Sequence, residues 1–177
     1  MKIDRGLVHV YTGDGKGKTT CALGVVLRVL GWGANVCMIQ FIKGYADIGE
    51  AEFSRNCTGR FTLQQFALDV SRNIGEKEVM QRREAAEAAM LAAEDAVLGG
   101  KYELVVLDEV NNAMHYGLVD ISRMLALIGR KPVNVELILT GRDAPVEIME
   151  VADYVTEMKL VKHPFGKGIQ ARKGIDF

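Results

Sequence analysis

The run Leu7-Val8-His9-Val10-Tyr11 stops at Thr12-Gly13-Asp14-Gly15-Lys16-Gly17-Lys18-Thr19-Thr20, and an apolar stretch then continues to Leu30. The first five residues read as a short buried strand. Beyond the glycines, Leu23, Val26, Leu27 and Leu30 recur at helical spacing, and Gly31 closes the segment. Strand, glycine-rich turn and helix is the setting in which a G-x-x-x-x-G-K-[ST] string becomes a phosphate loop. Glycines let successive backbone N–H groups converge on phosphate oxygens with no Cβ in the way, and the helix N-terminus adds partial positive charge. Lys18 supplies a cation for the phosphates, and the Thr19 hydroxyl suits Mg²⁺. Nucleotide contacts are therefore expected from Gly13, Asp14, Gly15, Lys16, Gly17, Lys18, Thr19 and Thr20. Thr12 stands where the usual pattern has its first glycine, so the loop is not of the commonest type. The helix, apolar on nearly every face, is expected to be buried.

Outward from the loop, short apolar runs alternate with helical ones. Strands are expected at Asn35 to Ile42, Phe61 to Phe66, Glu103 to Leu107, Val135 to Leu139 and Tyr154 to Lys159. The clearest helix is Glu76 to Leu98, with Val79, Arg83, Ala86, Met90, Ala93 and Val97 on one stripe and Gly99-Gly100 as its stop. Further helices are expected around Val119 to Ile128 and from Pro145, in a first turn, to Val151. Continuous apolar strands between helices imply an α/β chain: a single-domain P-loop NTPase-like fold over 1–177, its sheet mostly parallel with helices on both faces.

Glu103-Leu104-Val105-Val106-Leu107-Asp108-Glu109 places two acids at a strand's carboxyl end, where a P-loop protein holds its magnesium. Thr19, Glu109 and Asp108 are the candidate metal ligands, and loss of Glu109 is expected to weaken the Mg²⁺ dependence more than loss of Asp108. Lys18, Thr19 and Glu109 are the candidates for catalysis. Arg142, after the strand ending at Leu139, is read as a phosphate contact. Arg28, inside the first helix, is taken as a nucleotide contact or a buried ion-pair partner, a solvent-exposed charge being the other reading. No N-K-x-D or T-K-x-D string follows a late strand, so recognition of guanine in the GTPase manner is not supported.

Lys and Arg total 22 against 23 Asp and Glu, a net charge of −1, which argues against a general affinity for nucleic acid or anionic membrane. No apolar run approaches the ~18 residues of a membrane span, and the N-terminus lacks a secretion pattern, so the cytoplasm is the expected compartment. Three cysteines without C-x-x-C spacing suggest no metal or redox site; Cys21 and Cys37, in apolar stretches, are expected in the core. Trp32 is likewise read as packing, and His9 and His115 as structural.

Beside the loop and the acidic strand stand Gln40-Phe41-Ile42-Lys43-Gly44, Leu139-Thr140-Gly141-Arg142 and a tail of specific spacing. That tail holds Val161-Lys162-His163-Pro164-Phe165, Gly168-Ile169-Gln170-Ala171 and Gly174-Ile175-Asp176-Phe177. Together, in this order, these strings resemble the P-loop type ATP:corrinoid adenosyltransferases. The resemblance implies that a corrinoid cobalt, reduced to Co(I), attacks the 5′ carbon of ATP, giving an adenosylcorrinoid and releasing triphosphate. It implies Mg²⁺, ATP and a corrinoid at the site, an electron donor that reduces Co(II), and a homodimer. Some members carry a G-F-T-W-like stretch whose aromatics displace the lower ligand of cobalt. Here the matching region is Phe66 to Ser71, which has no tryptophan; Phe66, Leu68 or Val70 would supply the apolar face. Lys43 and Lys162 are candidate corrinoid contacts. His163 is read as a hydrogen-bonded structural residue, the other reading being a cobalt ligand. A small P-loop phosphotransferase and a non-catalytic nucleotide switch are the competing readings of the loop.

Overall fold

In the computed structural model, which describes residues 2–42, 47–57, 59–66 and 76–177, the elements follow the expected alternation. In chain order they are β1 (Val8–Thr12), α1 (Lys18–Gly31), β2 (Val36–Gln40), α2 (Gly49–Asn56), β3 (Phe61–Gln65) and α3 (Glu76–Leu98). After these come β4 (Leu104–Asp108), α4 (Val110–His115), α5 (Ile121–Arg130), β5 (Glu136–Thr140), α6 (Val146–Val151) and β6 (Tyr154–Glu157). The strands form one sheet of order β3-β2-β4-β5-β1-β6, and every pairing is parallel, not merely most of them.

The period of two along each strand sorts side chains to two cores. Val8, Val10, Cys37, Ile39, Val105, Leu107, Leu137 and Leu139 face the layer holding α3, α5 and α6. Tyr11, Val36, Met38, Leu104, Val106 and Ile138 face α1 and its Ala22, Val26 and Val29. All five residues of β2 and of β4 are buried, which is why those strands are apolar without alternation up to their last residues, Gln40 and Asp108. β6, at the sheet edge, is exposed along its whole length.

Several expectations need correction. α1 is buried on one face only: Leu27 is 67% exposed and Trp32, at its C-cap, 74%. Cys21 is exposed on that helix, whereas Cys37 is buried and its thiol is pushed up to about 12 by that burial. An apolar sequence period finds the helix but not what covers each side. The stripe on α3 holds from Ala86 through Ala89, Met90, Ala93, Ala96 and Val97, but Val79 and Arg83 are exposed. α5 begins at Ile121, where Asp120 caps it by accepting from the Ser122 N–H at 2.8 Å. Pro145 is the N-cap of α6, not part of its first turn. α4, six residues directly after the acidic strand, was not foreseen.

Candidate active site at the carboxyl edge of the sheet

Thr12 is the last residue of β1, and its hydroxyl accepts from the Ala144 N–H at 3.2 Å, tying the loop to the β5–α6 connection. A threonine therefore does at this position what a glycine cannot. The chain then turns through Gly13 at φ 92° and Gly17 at φ 124°, backbone angles that favour glycine. A Cβ on Gly15 would lie 2.5 Å from the Met158 carbonyl oxygen, which already accepts the Gly15 N–H at 2.6 Å. Lys18 Nζ reaches back into the loop and donates to Gly13 O at 2.6 Å and Gly15 O at 2.9 Å.

α1 starts at Lys18 with Gly17 as N-cap, no side-chain cap and no acid in its first turn. Fourteen residues of aligned peptide dipoles thus present first-turn N–H groups without a capping side chain beside a lysine, an arrangement suited to an anion. Thr20 lies exposed on that first turn. Tyr11, just before the loop, has its phenol pushed up to about 12, chiefly by burial and then by the neighbouring Cys21 thiol, so it stays neutral.

A row of polar side chains crosses the carboxyl edge of the sheet. Asp108, fully buried, accepts on Oδ1 from Thr19 Oγ1 at 2.9 Å and Thr140 Oγ1 at 2.6 Å, and on Oδ2 from Gln40 Nε2 at 3.1 Å. Gln40 stands opposite Asp108 in one register and opposite Gln65 in the other. Its Oε1 accepts from Gln65 Nε2 at 2.9 Å, and its amide also donates to Glu50 of α2 at 3.1 Å. Four neighbouring strands and the first turn of α1 are thereby linked through one carboxylate. Glu109 follows with left-handed backbone, φ 63°, as the N-cap of α4, and its N–H donates to Thr140 Oγ1 at 3.1 Å.

The structure brings Arg142 to the loop: its Nε is 3.9 Å from Asp14 Oδ1, both groups exposed, and its N–H donates to Asn112 Oδ1 at 2.7 Å. Lys16 also lies here, its Nζ 2.9 Å from Asp176 Oδ1. Arg28 is not brought here. It is exposed in the last turn of α1, ten residues past Lys18 and so about 15 Å along the helix; there its charge complements the helix dipole. His163 is a hydrogen-bonded residue, accepting on Nδ1 from the Phe165 N–H at 3.2 Å to cap the turn Pro164–Lys167. Lys43, Leu68 and Val70 lie outside the described residues; Phe66 packs, partly buried, against the larger core.

Sequence reasoning missed Gln65 and the Asn111-Asn112 pair, and it named Gln40 and Thr140 only within family strings, with no role at the site. The signal available was a polar residue closing an otherwise apolar strand, as in Val36 to Gln40, since a buried polar group must find partners. The sequence from residue 4 to 177 matches the family model described as ATP:corrinoid adenosyltransferase BtuR/CobO/CobP. The chain belongs to that family. A corrinoid adenosyltransferase of Pseudomonas aeruginosa is 41% identical, the alignment covering 98% of this chain and 85% of that protein. Corrinoid adenosyltransferase CobA of Salmonella typhimurium is 34% identical, with 98% of this chain and 87% of the relative covered. Among solved structures, the flagellar accessory protein FlaH of Methanocaldococcus jannaschii superposes with a TM-score of 0.57, covering 88% of this chain and 72% of its own. At 10% identity that likeness is one of fold. The enzyme is thus a corrinoid adenosyltransferase with ATP and a corrinoid as substrates, and the phosphotransferase and switch readings lapse. No helix among the described residues is long and apolar enough to cross a membrane.

Proposed function

We propose that the triphosphate of ATP lies in the loop of residues 13–20, with Lys18, the first-turn N–H groups of α1 and Arg142 as its contacts. The observation that carries this reading is the α1 N-terminus without a side-chain cap, set beside Lys18 and within one hydrogen bond of Asp108 through Thr19. The reaction forms a bond from Co(I) to the ribose 5′ carbon and breaks the bond from that carbon to the triphosphate oxygen. The cobalt electron pair enters the new bond, and the C–O pair leaves with the triphosphate. Negative charge develops on the departing oxygen, so preorganised donors there act on the transition state more than on the bound nucleotide.

The protein groups at the loop fit a magnesium ion bound mainly through phosphate. Mg²⁺ takes oxygen ligands, keeps several waters and needs one or two protein oxygens. Among the described residues no group of three or more His, Cys, Asp or Glu converges, but the Thr19 hydroxyl and Asp108 carboxylate stand together beside the loop. When bound there, the ion would neutralise charge on the triphosphate. Asp108 would then have a double role, orienting Thr19 and helping to hold the ion, which ranks it above Glu109.

We read the chain over 1–177 as one nucleotide-binding domain, working in the cytoplasm as a homodimer beside a separate electron donor for Co(II). The test is product identity. Incubated anaerobically with Mg-ATP and chemically reduced cobalamin, the protein should yield a light-sensitive adenosylcorrinoid and intact triphosphate in equal amounts. Release of ADP or orthophosphate in step with turnover would refute the proposed course.

A further inference from the structure

The segment beyond β6 returns to the phosphate loop twice. First, Met158 donates its N–H to Thr12 O at 2.8 Å and accepts the Gly15 N–H at 2.6 Å. Second, residues 172–177 fold back so that Lys16 Nζ stands 2.9 Å from Asp176 Oδ1 and donates to Ile175 O at 3.3 Å. Asp176 is held in place by its own turn. Its Oδ2 accepts from the Arg172 N–H at 3.0 Å and from Arg172 Nε at 3.1 Å, and its own N–H donates to Arg172 O at 2.8 Å. The Gly174 N–H closes the turn on Phe177 O at 2.8 Å. One carboxylate oxygen is thus occupied by Arg172 while the other faces Lys16. A further clamp, Lys173 Nζ to Asp47 at 2.7 and 2.8 Å, ties the same turn to the approach to α2.

Lys16 lies between Gly15 and Gly17, in the middle of the loop. A glycine-rich loop has many accessible conformations, and holding it in one costs more entropy than for other residues. A tether on the one non-glycine side chain between those two glycines lowers that cost before any ligand arrives. Asp14 and Lys18 hold the loop elsewhere, toward Arg142 and toward the loop carbonyls.

We infer that Asp176 is a positioning residue for the phosphate loop: acting through Lys16, it fixes the loop in the shape that receives a polyphosphate, so the turn of residues 172–177 belongs to the nucleotide site. This rests on the loop being the ATP site. Asp176 does not touch the reacting atoms, so its loss should appear in ATP binding and not in the chemical step. Restraining one of several loop contacts, a partly exposed ion pair of this kind is worth about fivefold in ATP affinity.

The test measures ATP KM, corrinoid KM and kcat for Asp176→Asn, Asp176→Glu, Lys16→Ala and the Lys16→Ala/Asp176→Asn pair, with thermal unfolding as the check on folding. Asp176→Asn should raise the ATP KM about fivefold while the corrinoid KM holds and kcat moves less than twofold. Asp176→Glu should restore most of the loss. Lys16→Ala, which also removes a cation of the loop, should raise the ATP KM at least as much as Asp176→Asn, and the double variant should be no worse than Lys16→Ala. A fall in kcat at constant ATP KM, or effects that multiply in the double variant, would overturn the inference. Lys18→Ala separates it from the reading beneath it. If that variant loses ATP affinity and Asp176→Asn does not, the positioning role alone fails; if Lys18→Ala keeps wild-type affinity, the loop is not the ATP site and both fall.

Discussion

Asp108 and Asp176 present one carboxylate each to the same phosphate loop, and they do so in opposite surroundings. Asp108 is fully buried at the end of β4 and accepts from Thr19, Thr140 and Gln40. Asp176 lies partly buried on a turn of its own, its side chain 19% exposed, and the Lys16 side chain it meets is 47% exposed. The first cannot be removed without stranding the buried Thr140 hydroxyl and Gln40 amide, and such losses cost more than the hydrogen bonds themselves contribute. The second exchanges with water at little cost, so its value is in restraint. Burial therefore separates a carboxylate that the site cannot do without from one that tunes it.

The largest effect should follow from Asp108→Ala. Three donors then lose an acceptor, at about 1–3 kcal/mol for each group left buried and unsatisfied. If the cation that Asp108 would help hold is lost with it, the departing triphosphate loses a stabilising charge, and loss of one such preorganised group typically costs about 10²–10³ in rate. The contrast with Glu109→Ala decides the metal assignment. By geometry Asp108→Ala should flatten the Mg²⁺ titration of activity more than Glu109→Ala, the reverse of the order expected from sequence. Equal or greater sensitivity at Glu109 in that titration would restore the earlier ranking and take Asp108 out of the metal site.

Gln40→Leu probes the same buried row one step from the carboxylate. Asp108 keeps its two hydroxyl donors but loses the amide, and Gln65 and Glu50 each lose a partner. The expected loss is about 2 kcal/mol, seen as a fall of roughly 5 °C in the melting temperature for a chain of this size. ATP KM should move little. An unchanged melting temperature would mean that the row is solvated and that the contrast with Asp176 has been drawn too sharply.

The parts of this site that could be read from the chain were those written in consecutive residues. Thr12 to Thr20 and Leu104 to Glu109 each carry strand, turn and polar residue within one short window, so local pattern was enough. Gln40 could not be placed, because its meaning depends on β2 lying between β3 and β4, a pairing across residues 61–65 and 104–108 that no local period encodes. The Lys16–Asp176 pair spans most of the sequence. α4 was invisible for another reason: six residues are too short for a helical period, and it opens at Glu109 in left-handed backbone, against the usual entry into a helix. Leu27, Trp32 and Cys21 show the reverse failure. Their apolar character was plain, but apolarity cannot say whether another layer lies over that side of α1.

The smallest effect is also the one that tests the role of burial directly. Hydrogen bonds from Lys16, then from the Arg172 N–H and side chain, hold the Asp176 carboxyl well below the usual carboxylate range. For a carboxyl with a lowered folded-state value, the contribution is present above the unfolded value and disappears only as pH falls through the folded one. The ratio of ATP KM between Asp176→Asn and wild type should therefore stay flat from about pH 8 to about pH 5, above the ordinary aspartate value. Salt should act differently. Raising ionic strength from about 0.1 M to about 1 M shortens the Debye length from roughly 10 Å to roughly 3 Å, which screens an exposed pair but hardly touches a buried one. The Asp176→Asn ratio should then shrink toward one, while the rate loss in Asp108→Ala persists at both salt levels. Equal salt sensitivity in the two variants would mean that solvent reaches Asp108 as freely as Asp176, and burial would no longer explain why one carboxylate outweighs the other.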